Sequence, residues 1–309
     1  MHALNIKPVV ESSSAAEVGA KKGPLLDIKP RLKEIKTLPP MPAMAQRIIR
    51  LSSDVNANIK DLAAIVELDP SLSAQIMRYA SSPLFAYRGK IDSVQTAISR
   101  VLGFNMVMNL ALGMTTAKPF RIPKNLPLGL DNFWRHAVYS AALTQALSNA
   151  LDSSIRPEAG LAYLAGLLHN FGHLVFGHLF RNEFILLNKF LLQHEGRPIA
   201  EVEHEVLGID HAQIGAWLLK SWRLPEEVVV ATREHHNEYY HGPSSVMVSL
   251  VRVSDFVLKK QGIGDGSDVM PVTAVHELGL GEYQINAITS QLFGSGQESL
   301  DNMVRQLVG

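Results

Sequence analysis

From Arg31 onward, apolar residues recur at three- and four-residue spacing in short segments, and each segment is cut off by Pro, Gly, Asn or Asp. That pattern confines the chain to packed helices. A strand needs period-two alternation of β-branched or aromatic residues, and no such run is present. In TLPPMPAMAQRIIRLSSD, Pro39, Pro40 and Pro42 form an extended lead-in to a helix carrying Met44, Ile48, Ile49 and Leu51 on its apolar face. Asp69 precedes Pro70 and is placed to cap the helix SLSAQIMRYASS. Residues 91–100 are amphipathic, and Gly103 interrupts the pattern before FNMVMNLALGM. Longer helices are expected at 132–151, 157–169, 181–195, 198–207, 210–221, 225–237 and 243–260. Short helices at 271–309 close the fold.

The prolines and glycine of KPFRIPKNLPLG (118–129) mark a linker or sharp bend. The expected organisation is a flexible tail (1–29), a bundle of short helices (30–118), a helical lobe (119–262) and a C-terminal helical piece (263–309). The 30–118 part is too short for a comfortable core of its own, and it is expected to dock on the lobe.

Composition removes several function classes. With 309 residues and 47% apolar content, the chain has material for a real core. Lys plus Arg (29) equals Asp plus Glu (29), which argues against a nucleic-acid partner. There is no cysteine, so disulfides, thiolate metal sites and cysteine nucleophiles are excluded. No apolar run is long enough for a membrane span, and the N-terminus lacks the apolar core of a secretory signal. The sequence reads as cytoplasmic, without membrane association.

Any metal must therefore be held by His, Asp, Glu or Asn. Of the 12 histidines, His136, His169, His211, His235 and His236 stand beside apolar helix faces, and so does Asp255 in VRVSDFVLKK. Buried ionisable groups need partners. Convergence of these side chains would suit one divalent ion (Fe, Mn, Zn or Mg). Placement alone leaves both readings open, since single buried histidines are often hydrogen-bonded core residues.

The phrases LPPMPAMAQRIIRLSSD, LAAIVELDPSLSAQIMRYASSP and IDSVQTAISRVLGF, then AGLLHNFGHLVF, DHAQIGAWLLKSWRLPEEVVVATREHH and VSDFV, resemble in order the HDOD family. This is a signalling offshoot of the HD metal-dependent phosphohydrolases, related to the HD-GYP phosphodiesterases. The resemblance implies an all-α fold with an HD-like lobe. It assigns His136, His169 and Asp255 to the superfamily's metal ligands. His211 and one of the His235–His236 pair match the histidines that hold a second ion in HD-GYP enzymes.

The sequence departs from that pattern at Asn170, where the catalytic dyad has Asp, and at His173, where HD-GYP enzymes usually have Lys. NEYYHGPSS also lacks the GYP triplet. A neutral amide cannot offset divalent charge or bridge two ions as a carboxylate does. His169 and Asn170 are thus the candidate catalytic positions of a degenerate site. The resemblance implies a regulatory module that binds a signalling protein or a small nucleotide-like ligand. A phosphohydrolase acting on a nucleotide or cyclic dinucleotide is the alternative.

Other features read as structural. His169 and His173 share the i, i+4 spacing of zincins but lack the general-base Glu. GIGDG (262–266) reads as a loop, and Trp217 and Trp222 read as core packing. Arg100, Asn105 and Asn109 could line a groove between the halves, with no specific argument for it.

Overall fold

A computed structural model of the chain describes residues 23–34, 39–158, 160–194, 196–264, 266 and 269–308. Among these there are helices and no strands. The short-helix half comprises α1 (Lys29–Glu34), α2 (Ala43–Ser52), α3 (Ile59–Glu67), α4 (Pro70–Ala80), α5 (Val94–Ala97) and α6 (Phe104–Thr116). The lobe follows with α7 (Leu130–Asn149), α8 (Leu161–Leu168), α9 (Phe171–Leu179), α10 (Arg181–Gln193), α11 (Ile199–Leu207), α12 (His211–Ser221), α13 (Glu226–Glu234) and α14 (Ser245–Lys260). The chain closes with α15 (Val272–Leu278), α16 (Glu282–Phe293) and α17 (Gln297–Val308).

Local chemistry explains the boundaries. Asn58 and Asp61 form a reciprocal capping box at α3. Asp69 accepts the Leu72 N–H at α4, with Pro70 in the first turn, and Asp210 caps α12 through Gln213. The amphipathic 91–100 segment becomes α5 followed by one wide π turn (Ile98–Leu102), ended by Gly103 at φ 83°.

One apolar core runs through both halves and the C-terminal piece, from Ile28 to Met303. α7 is central and packs against α8, α14, α16 and α17. α6 packs on both α2 and α8, while α17 returns to α4. Fully buried Tyr163, Phe171, Phe176 and Phe184 are among the largest core residues. Each contributes roughly 1.5–3 kcal/mol through apolar burial.

Two expectations need correction. The flexible tail does not extend to residue 29; residues 1–22 of that segment lie outside the described residues. Leu25, Leu26 and Ile28 donate backbone N–H groups to the carbonyls of Glu205, Val206 and Leu207 (3.0, 2.7 and 3.0 Å), and Ile28 is fully buried. Three apolar side chains were too short a signal to show period. Trp222 is core, as expected, and its Nε1 donates to the Pro39 carbonyl (2.9 Å), but Trp217 is 42% exposed. Five residues advance a helix by about 140° beyond a full turn, so the two indoles leave on different faces. No described helix is long and apolar enough to cross a membrane.

Candidate metal centre

Three glycine contacts bring the histidine-bearing backbones together. A Cβ at Gly166 on α8 would lie 2.7 Å from the Ser140 carbonyl of α7. A Cβ at Gly172 on α9 would lie 2.0 Å from the His211 carbonyl of α12, and one at Gly215 would lie 2.9 Å from the Gly172 nitrogen. Helices α7, α8, α9 and α12 can therefore approach backbone to backbone only where no side chain intervenes. His169 and Asn170 occupy the break between α8 and α9, His211 opens α12, and His235 and His236 follow the end of α13. His136 and Asp255 come from the middles of α7 and α14.

The residues form two adjoining groups. In the first, His136 Nε2 donates to Asp255 Oδ1 (3.1 Å), and Asn170 Nδ2 donates to His136 Nδ1 (3.2 Å). His169 Nδ1 donates to the Gly166 carbonyl (2.7 Å), which leaves its Nε2 as a lone pair. That buried Nε2 makes no hydrogen bond and faces Asp255 Oδ1 at 3.3 Å. Two acceptors held face to face in the interior need a cation or a proton between them.

The second group repeats this logic. His235 Nδ1 donates to the Thr232 carbonyl (2.8 Å), and His211 Nδ1 donates to Glu203 Oε2 (2.6 Å). Both rings thus present Nε2 lone pairs, 3.3 Å apart, and His236 Nε2 lies 3.0 Å from His211 Nε2. Metal-ligating histidines characteristically donate their second nitrogen to a carbonyl or carboxylate in this way. The ligand atoms of His136, His169 and Asp255 all lie within 4.8 Å of one another, as do those of His211, His235 and His236. The His169 and His235 ring centroids are 5.1 Å apart, so the groups adjoin.

Electrostatics agree with a ligand set. Burial raises the Asp255 pKa, but the His169 and His136 imidazoles beside it outweigh that effect, His136 also through its hydrogen bond, and the carboxyl is held well below its ordinary range. Burial pushes His235 well below the usual imidazole value, and the neighbouring His236, His169 and His211 act in the same direction. Asp255 is therefore ionised and His235 neutral near pH 7, the forms that bind metals. The donor sets fit a borderline divalent ion, which favours mixed imidazole and carboxylate ligation.

The site opens into a cavity of about 1080 Å³, whose lining includes His136, Asn170, His235, His236 and Asp255. Residues 262–264 and 266, the described part of the GIGDG segment, form no helix or strand, as expected, and Gly264 also roofs the first group. A Cβ on Gly264, at φ 78°, would fall 2.6 Å from the His136 ring. Both His235 and His236 face the site, which answers a question the sequence left open. Arg100, Asn105 and Asn109 do not line the cavity. Asn105 instead donates to Glu158 (2.6 Å) ahead of α8.

The zincin spacing is not used as a ligand pair. His169 faces Asp255, whereas His173, across the helix break, donates to Glu203 Oε1 (3.0 Å). Sequence reasoning missed Glu203, which is fully buried and also accepts the His211 backbone N–H (2.8 Å). An acid eight residues before His211, flanked by Val202 and Val206 on the buried face of an amphipathic helix, was the only available signal.

Residues 38–238 match the HDOD domain family. The chain belongs to the HDOD family. Among solved structures, it is similar to a candidate signal transduction protein from Marinobacter aquaeolei VT8, with 37% identity and a TM-score of 0.76. That match covers 92% of this chain and 63% of the other. An HDOD domain protein of unknown function from Geobacter sulfurreducens shares the fold at 20% identity and TM-score 0.70, with 90% and 96% of the two chains covered. An uncharacterized protein from Treponema pallidum (strain Nichols) is 24% identical over 228 residues, which is 73% of this HDOD chain. The chain spans 43% of that relative's length.

Proposed function

We propose that this HDOD chain is a regulatory module that holds a divalent ion on its histidine groups and uses the adjoining cavity to bind a small anionic ligand without hydrolysing it. The observation that carries this reading is the opposed pair of acceptors at His169 Nε2 and Asp255 Oδ1, repeated between His211 and His235. His136, His169 and Asp255 would hold one ion, and His211, His235 and His236 are the ligands available to a second. A bound divalent ion would supply Lewis acidity and a fixed positive charge for an anionic group.

The chain's own side chains favour binding over turnover. Asn170 presents a neutral amide where a hydrolase needs a carboxylate. As oriented, its Nδ2 donates to His136 Nδ1 and leaves the proton of that ring on Nε2, the atom that faces Asp255. The cavity supplies recognition. Arg135, Arg252 and Lys259 line it, and none of them forms an ion pair among the described residues. Arg252 and Lys259 flank Asp255 at i−3 and i+4 on α14, so all three lie on one helix face. Burial lowers the Arg252 pKa, as expected for a guanidinium held partly out of water without a carboxylate in contact.

The test is elemental analysis of the purified chain, followed by phosphodiesterase and phosphomonoesterase assays with added manganese or iron. Bound metal with no turnover above a protein-free control supports the reading. Turnover that needs both metal and His169 would replace it with the hydrolase alternative, which the adjoining second histidine group favours. Metal-free protein that cannot be loaded would refute both.

A further inference from the structure

The buried carboxylate of Glu203 has no assigned role, yet it touches the second histidine group more closely than any other acid among the described residues. Its Oε2 accepts both the backbone N–H and the Nδ1–H of His211, and its Oε1 accepts from His173 Nε2. A carboxylate that takes the Nδ1 proton fixes the imidazole tautomer, so His211 Nε2 becomes the lone pair that meets His235 and His236. Glu203, His173 and His211 could alternatively cage an ion of their own. The 2.6 Å separation between Oε2 and Nδ1 is a charge-assisted hydrogen bond. Two ligands of one ion, each bonded at about 2.0–2.2 Å, stand farther apart.

Glu203 is held by α11, and α11 is held at its C-terminal end by a distant part of the chain. The last carbonyls of a helix have no partners within it. Here those of Glu205, Val206 and Leu207 accept the N–H groups of Leu25, Leu26 and Ile28. The turn that follows α11 packs directly against this segment. Gly208 sits at φ 78°, and a Cβ there would lie 2.7 Å from the Asp27 carboxylate and 2.9 Å from Pro24. Two residues later comes Asp210, and then His211. The segment 24–28 therefore clamps the end of the helix whose buried acid orients the histidine.

We infer that Glu203 is the positioning residue of the second histidine group, and that segment 24–28, by closing the C-terminus of α11, sets how well it does so. This rests on the metal-centre reading for its consequence but not for its geometry. A change that lifts the segment lets α11 fray, loosens Glu203, and frees His211 to take the other tautomer. An N-terminal event is thereby coupled to metal affinity on the far side of α11.

The experiment is side-chain nitrogen NMR of the metal-free full chain, which reports which nitrogen of His211 bears the proton, followed by titration with Mn²⁺. Wild type should show the Nδ1–H form. Glu203→Gln should show a mixture, or the Nε2–H form, and should bind Mn²⁺ about 10–100-fold more weakly, the usual effect of losing such an orienting partner. Glu203→Asp should restore part of both. Leu26→Pro removes one clamping N–H and should shift the tautomer in the same direction, whereas Leu26→Ala, which keeps the N–H, should not. An unchanged His211 in Glu203→Gln overturns the assignment, and an unchanged His211 in Leu26→Pro overturns the clamp. If Glu203→Gln fails to fold, the wild-type tautomer still decides, because an Nε2–H His211 contradicts the proposal. Failure of wild type to bind metal would instead sink the metal-centre reading, leaving the tautomer result intact.

Discussion

Substituting Gly172 with alanine sets two opposite expectations against each other. Helix propensity alone predicts a gain of roughly 0.5–1 kcal/mol, because alanine is the better helix former. The crossing of α9 and α12 predicts a loss. The new Cβ would sit 2.0 Å from the His211 carbonyl oxygen, 2.6 Å from its carbon and 2.7 Å from its Cα. Ordinary contact begins near 3.4 Å, so the two backbones must separate by 3.4 − 2.0 = 1.4 Å. No side-chain rotation can supply that distance, because every clashing atom is main chain.

Overpacking costs about 1–3 kcal/mol even where side chains can adjust, and this site belongs at the upper end. After the propensity gain, a net loss of about 2–2.5 kcal/mol remains, which lowers Tm by about 4–10 °C at about 2–4 °C per kcal/mol. His211 moves with its backbone, so Mn²⁺ binding at the second group should fall at least tenfold. Thermal melting and metal titration check both. A variant with raised Tm, or with wild-type metal affinity, would refute the argument that the glycine crossing places His211.

Asn170→Asp exchanges a donor to His136 Nδ1 for an acceptor. It should move the His136 proton off Nε2, add charge, and tighten Mn²⁺ binding at least tenfold by calorimetry; an unchanged affinity contradicts this. Asp69→Ala removes the α4 cap and the ion pair with Lys118, and should cost about 1 kcal/mol in chemical denaturation. Burial raises the Asp69 pKa, but the hydrogen bonds from Lys118 and the Leu72 N–H outweigh it, and the net shift is downward. A depressed folded-state pKa stabilises above the unfolded value and loses that effect as pH falls through the folded one. The stability gap between wild type and Asp69→Ala should therefore persist at neutral pH and close only below about pH 4. Residues 130–309 expressed alone should give a poorly soluble or non-cooperative product, since α6 covers α8 and α4 covers α17. A soluble fragment melting like the full chain would show two independent units.

The helices were legible because each carries its own start and stop chemistry: Asp69 with Pro70, Asp210 before His211, Pro225 before α13. The histidines were legible as a group because polar residues on apolar faces demand partners, and the ordered resemblance told which would meet. What the sequence hid was contact between distant backbones. Nothing local marks Gly172 and Gly215 as facing each other, or Leu25 to Ile28 as partners for the carbonyls of α11. Glu203 was hidden for the same reason, because its partner His173 had been read only as a departure from a family pattern. Trp217 was misread because aromatic identity was given more weight than its helical phase.

His136 and Asp255, 119 residues apart, share a hydrogen bond, and the other candidate ligands come from the ends of α8, α12 and α13. The second group is complete on α12 and the end of α13, but the first needs α7, the end of α8 and α14 together. During synthesis, the first group cannot close until Asp255 has left the ribosome and α14 has packed on α7. At about 5–20 residues per second, that point comes about 6–24 s after His136 appears. An ion held by the first group would therefore be acquired late, by a chain whose lobe is already assembled. Before that point the first group is incomplete, and capture of an ion there would report that α14 has packed on α7.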